Sequence, residues 1–219
     1  MSSRPTAQNG GRAVPARARE RTPAGGKHEV RIVGGQWKRT RLTVLDRPGL
    51  RPTPDRVRET LFNWLGQDLG GWRCFDAFAG TGALGLEAAS RGAAEVWLWE
   101  QDAAAVAELR RAQARLGAPM LHIERGDGLA ALRRAAAGSL DLVLLDPPFE
   151  AALFEAALAA AARALAAAGR IYLEAPEPWD EARLAPHGLA LRRHLKAGAV
   201  HAHLLAREEG AREEGGAAA

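Results

Sequence analysis

The chain predicts an α/β fold, a mostly parallel sheet with helices on both faces, preceded by a small hairpin and helix. Three features carry that expectation. From Arg73 onward, short apolar runs alternate with Ala-rich stretches, as right-handed strand-helix-strand crossovers require. Glycines cluster where the first run ends. Two closing strand-like segments flank Gly198 and read as an antiparallel pair at the sheet edge.

In chain order, 30–33 and 42–45 predict a hairpin across Gly34, Gly35 and a basic, tryptophan-bearing turn. Thr53-Pro54-Asp55 predicts a helix start, with Thr53 as N-cap, Pro54 at the first helical position and an acid in the first turn. Val57, Leu61, Trp64 and Leu65 follow at helical spacing. Strands are then expected at 74–78, 95–100, 120–124, 140–146 and 170–174, with helices near 83–91, 103–116, 129–136 and 151–167. The last pair spans 189–195 and 200–206. The expected division is a disordered basic tail (1–27), an extension (28–66), a catalytic domain (67–207) and a disordered end (208–219).

The composition narrows the function. No uncharged apolar stretch approaches the ~20 residues of a membrane span. The single cysteine, Cys74, lies in an apolar run and reads as core, so disulfides and cysteine-based zinc sites are excluded and a reducing cytoplasm fits. The six histidines show no metal spacing, and no metal is expected. Residues 1–60 hold fourteen Lys and Arg against five acids, net +9, whereas the remainder is net −5. That asymmetry suggests a polyanion-binding arm on a catalytic body.

The segment from Phe75 to Gly85 is a cofactor loop. Gly80 and Gly82, with Ala79 and Thr81 between Phe78 and the helix, let backbone approach a ligand. Glu100, followed by Gln101, lies twenty residues beyond Gly80 at the end of the second strand, placed for ribose hydroxyls. Charge selects among adenosine cofactors: Asp76 would repel a pyrophosphate and attract a methionine ammonium, favouring S-adenosylmethionine. Asp127, before Gly128, reads either as a contact to the adenine amine or as a helix N-cap.

Leu142 to Phe149 delivers Asp146, Pro147 and Pro148 to the carboxyl edge of the sheet, where open α/β folds bind ligands. The prolines remove backbone donors and leave carbonyls that can face a site. Such acceptors suit an exocyclic amine, whose lone pair is delocalised into its ring. Asp146 and the Pro147 carbonyl would hold the two amine hydrogens and Phe149 would stack on the base.

With these residues in view, the sequence resembles the RsmD family of 16S ribosomal RNA guanine N2-methyltransferases over about 30–206. The most specific stretches are Arg31-Ile32-Val33-Gly34-Gly35-Gln36-Trp37, Pro48-Gly49-Leu50-Arg51-Pro52-Thr53 continuing through Leu65, Phe78 to Ala88, and Asp146-Pro147-Pro148-Phe149. The resemblance implies a class I methyltransferase fold with an N-terminal extension, S-adenosylmethionine as cofactor, and a guanine on an assembled or assembling small subunit as substrate. A monomer is expected. Arg31, Trp37, Lys38, Arg39, Arg41, Arg51, Arg56 and Arg58 then become the RNA-facing set, although Arg58 could instead pair with Asp55 or with the cofactor carboxylate. Three rivals stand beside this reading: an adenine N6 or other amino-methyltransferase on DNA or transfer RNA, a non-catalytic ribosome-assembly factor, and a nicotinamide dehydrogenase.

Overall fold

The computed structural model describes residues 29–45, 53–148 and 153–208. Strands β1 (Glu29–Arg31) and β2 (Arg41–Thr43) form an antiparallel hairpin. Helix α1 (Asp55–Leu65) follows, then β3 (Arg73–Asp76), α2 (Ala83–Ser90), β4 (Glu95–Glu100), α3 (Ala103–Leu116) and β5 (Leu121–Arg125). The second half comprises α4 (Gly128–Arg134), β6 (Leu140–Leu145), α5 (Phe154–Ala164), β7 (Leu165–Ala175), α6 (Glu181–Leu184), β8 (Leu189–Ala197) and β9 (Val200–Arg207).

The seven-stranded sheet has the order β5-β4-β3-β6-β7-β9-β8. Pairing is parallel from β5 to β7, and β9 joins β7 and β8 antiparallel. One core lies between the sheet and the hairpin with α1, α2 and α3, built on Cys74, Leu98, Leu142, Leu144 and Tyr172. The other face packs Phe75, Val143, Leu145 and Ile171 against α4, α5 and Trp179. β6 is buried along its length except at Asp141, as a central parallel strand covered on both faces must be.

Local chemistry explains the boundaries. The Asp102 side chain accepts from the amides of Ala104 and Ala105, and Gly117 closes α3 in the left-handed region. Between those caps, Ala105, Val106, Leu109 and Ala112 form the buried stripe. Gly82, at φ 76°, begins α2; a Cβ there would lie 2.4 Å from the Leu109 side chain. Arg163 donates to the carbonyls of Arg133 and Ala135, satisfying the end of α4.

Two sequence expectations change. Thr53 does not cap α1: its hydroxyl donates to Glu174 Oε1 at 2.7 Å, and Pro54 stands at the cap without a side-chain bond. The Ala-rich helix expected to reach residue 167 stops at Ala164, where Leu165 pairs with Leu140 and a register shift follows. His201 and His203 lie together on strand β9, and His203 is fully buried. Its Nε2 accepts the Trp179 amide at 3.0 Å, and burial pushes its pKa down to about 4. Cys74 is buried core, its thiol pKa pushed up by desolvation.

Candidate active site

Four neighbouring strands end in acids. β4 ends at Glu100, β3 at Asp76, β6 runs into Asp146, and β7 carries Glu174 next to its last residue. The ladder pairs Leu98 with Asp76, Asp76 with Leu144, and Leu144 with Tyr172. Two residues further along β4, β6 and β7 stand Glu100, Asp146 and Glu174, on the side of the sheet that Asp76 shares. The glycine turn and the Asp-Pro-Pro turn therefore leave the same edge of the sheet from adjacent strands.

The environment of each acid differs. Asp76 is 1 % exposed; its Oδ2 accepts from the Gly85 amide at 3.2 Å, while its Oδ1 is buried without a donor among the described residues. Desolvation dominates and pushes its pKa up to about 7, against the backbone amides of Phe78 and Gly85. A buried carboxylate oxygen lacking a donor fits a small cation such as an ammonium. Glu100 is held by the amides of Gly80 and Asp102, both at 2.8 Å, which fixes the carboxylate at the loop and leaves lone pairs for hydroxyl donors.

Asp146 is half-buried, and no described group donates a hydrogen bond to it. Burial, then the nearby charges of Glu174 and Asp76, hold its pKa well above the usual carboxylate range. Pro147 is buried and Pro148 exposed. Asp127 caps α4, accepting from the Ala130 amide at 3.0 Å, with Gly128 buried behind it. Phe78, Thr81 and Gly80 are partly buried, Ala79 and Gly82 buried and Gln101 exposed; Glu100 reaches the Gly80 amide and Gly128 lies against the Ala77 carbonyl. Phe149 and Arg51 lie outside the described residues.

The expected RNA-facing set divides. Lys38, Arg39 and Arg56 are exposed and pair with no described acid. Arg31 and Arg41 are exposed but bridge to Asp55 and Glu29 at 2.9 and 2.8 Å. Trp37 packs against the core and donates its amide to Ser90 Oγ at 2.9 Å. Arg58 is a correction: it is fully buried, bound to Asp55, Glu87 and the Thr53 carbonyl, and presents nothing to a phosphate. Of the two partners the sequence allowed for it beside RNA, Asp55 is the one present. Sequence reasoning missed Glu174, Thr53 and Tyr172. The signal was available for Glu174, an acid ending a parallel strand as Glu100 does.

This architecture is a class I Rossmann-like methyltransferase fold with an N-terminal extension. A solved structure of the Escherichia coli protein yhhF superimposes with a TM-score of 0.71 at 36% identity, covering 83% of this chain and 99% of that one. Residues 30–206 match the family described as conserved hypothetical protein 95, and the chain belongs to it. Ribosomal RNA small subunit methyltransferase D of Escherichia coli (strain K12) is 45% identical over 130 residues, 59% of this chain and 65% of the relative, so the matched stretch spans just under two thirds of that protein. The protein of the same name from Buchnera aphidicola subsp. Baizongia pistaciae is 30% identical over 175 residues, 78% of this chain and 89% of the relative. The resemblance read from the motifs is thus matched by relatives that align over 59% to 78% of this chain.

Proposed function

We propose that the protein transfers a methyl group from S-adenosylmethionine to the exocyclic N2 amine of a guanine in 16S ribosomal RNA, on the assembled or assembling small subunit. The observation that carries this reading is the adjacency of Asp76 and Asp146, whose strands pair in parallel with Asp76 opposite Leu144. A cation held at the first turn and an amine held at the second would lie close enough to react, and such positioning removes much of the barrier.

The cofactor supplies the electrophilic methyl group. Asp76 would hold its ammonium, Glu100 its ribose hydroxyls and Asp127 its adenine amine, with Phe78 to Gly82, Gln101 and Gly128 shaping the cradle. Asp146 and the Pro147 carbonyl would accept the two amine hydrogens, which localises the nitrogen lone pair away from the ring. Asp146 is too weak a base to deprotonate a neutral amine, but the methylated nitrogen is acidic and can lose its proton to the raised carboxylate. Pro148 stiffens the turn and Phe149 would stack on the base. Residues 28–66 form the RNA-facing extension in this proposal and 67–207 the transfer domain, working as a cytoplasmic monomer without a metal. Among the described residues no helix is long and apolar enough to cross a membrane.

The test incubates the protein with labelled S-adenosylmethionine and small subunits from a strain lacking the gene, beside free RNA and DNA. N2-methylguanosine in 16S RNA supports the reading, and Asp146→Ala should abolish it. Label appearing as N6-methyladenine would assign the chain to the adenine rival instead. Methylation untouched in Asp146→Ala would remove Asp146 from the chemistry.

A further inference from the structure

Glu174 has no task in the mechanism above, yet it is 3 % exposed and stands among its acids. Among the described residues, both hydrogen bonds it receives fall on Oε1, one from Thr53 Oγ1 and one from the Tyr172 hydroxyl, each at 2.7 Å. Oε2 takes no donor from the described residues. The pairing of Leu145 with Leu173 continues to bring Glu174 beside Asp146, close enough that each charge opposes the other. Two neighbouring carboxyls therefore hold uncommitted acceptor oxygens, while Asp76 Oδ1 stands buried and without a donor at the same edge.

Guanine answers this pair chemically. Its N2 amine and N1–H are adjacent donors, so a base whose amine sits on one acid offers N1–H to a second acceptor alongside. Adenine carries a lone pair at N1 and would set it against a carboxylate, leaving two buried acceptors unmatched. We propose that Glu174 selects guanine, its Oε2 accepting the N1–H while Asp146 holds the N2 amine; this rests on the methyl-transfer reading above. Thr53 and Tyr172 are positioning residues, anchoring Oε1 so that Oε2 is left for the base. Burial pushes the Glu174 pKa up, and the hydrogen bonds from Thr53 and Tyr172 offset part of that rise.

The test is an inversion of base preference in Glu174→Gln. Small subunits are reconstituted with either guanosine or 2,6-diaminopurine riboside at the target nucleotide. The second base keeps the 2-amine but has a lone pair at N1. The wild type should methylate N2 of guanine with a kcat/KM on the order of 10- to 100-fold above the analogue. Glu174→Gln should lose about that factor on guanine and gain on the analogue, because a carboxamide N–H can donate to N1, with cofactor affinity unchanged. Equal losses on both bases, or a guanine rate that is retained, overturn the proposal. Tyr172→Phe provides a variant that keeps the acid: its guanine preference should shrink, and an unaltered preference counts against the assignment. A wild type that methylates neither base overturns the methyl-transfer reading itself.

Discussion

The Arg58 guanidinium stands 3.4 Å from the Glu87 carboxylate with both side chains wholly removed from water. Glu87 also takes the Val33 amide at 2.7 Å and Arg91 at 2.8 Å. One carboxylate thus joins the segment after β1, helix α1 and helix α2. Removing its charge would leave buried Arg91 without its carboxylate and Arg58 with Asp55 alone, so Glu87→Gln should destabilise the fold by about 3–5 kcal/mol. Arg41→Ala, which breaks an exposed pair with Glu29, should leave the Tm unchanged. Thermal unfolding of the two variants side by side measures the difference.

Asp76 predicts a pH dependence of two kinds. Its folded pKa of about 7 lies above the unfolded value of roughly 3.9, so the folded protein holds an extra proton between those values and its stability falls as pH rises through that window. Asp76→Asn should therefore stabilise the ligand-free protein at pH 8, by up to about 4 kcal/mol, and bring no gain below pH 4. The same variant should lose S-adenosylmethionine. In the wild type, cofactor affinity should weaken by about tenfold per unit as pH drops below 7, because an ammonium needs the ionised acid. Calorimetry across pH 5 to 8 checks both signs.

Gly35 has φ 72°, and a Cβ there would fall 1.9 Å from the Ser90 carbonyl oxygen, which accepts the Gln36 amide at 2.8 Å. Gly35→Ala should loosen the hairpin from the end of α2 at a cost of roughly 1–3 kcal/mol. Hydrogen exchange should accelerate at the amides of β1 and β2 while cofactor affinity holds. Protection that stays at wild-type levels would show that the turn tolerates the methyl group.

Among the described residues, Lys38, Arg39 and Arg56 are the exposed cations of the extension without acidic partners. Replacing all three by Ala should raise KM for small subunits, leave kcat unchanged, and reduce the slope of log affinity against log salt by roughly one unit per lost phosphate contact. An unchanged slope would place the RNA elsewhere on the surface.

The sequence was legible where one local cause dominated. Helix α3 carries its own start at Asp102 and its own stop at Gly117, and β4 falls at the predicted residues because its apolar run is bounded by Gly92 and Asp102. Thr53 was misread because its hydroxyl serves a residue 121 positions away, and no local pattern encodes that partner. The end of α5 was hidden in an alanine tract that is equally compatible with helix and, at Leu165 beside Leu140, with strand. The cofactor loop and the Asp-Pro-Pro turn stood out because glycine and proline leave a backbone signature. Glu174 did not, since one acid at a strand end carries meaning only when its neighbours across the sheet are known.

The last described strand, β9, lies between β7 and β8 rather than at the margin. During synthesis β7 emerges with one flank bare, and the nascent chain cannot close that flank until residues 200–207 have left the ribosome. A chain interrupted near Gly198 would hold both the glycine turn and the Asp-Pro-Pro turn and still expose a long unpaired ladder, an invitation to aggregation. The order of strands thus couples the arrival of residues 200–207 to closure of the sheet.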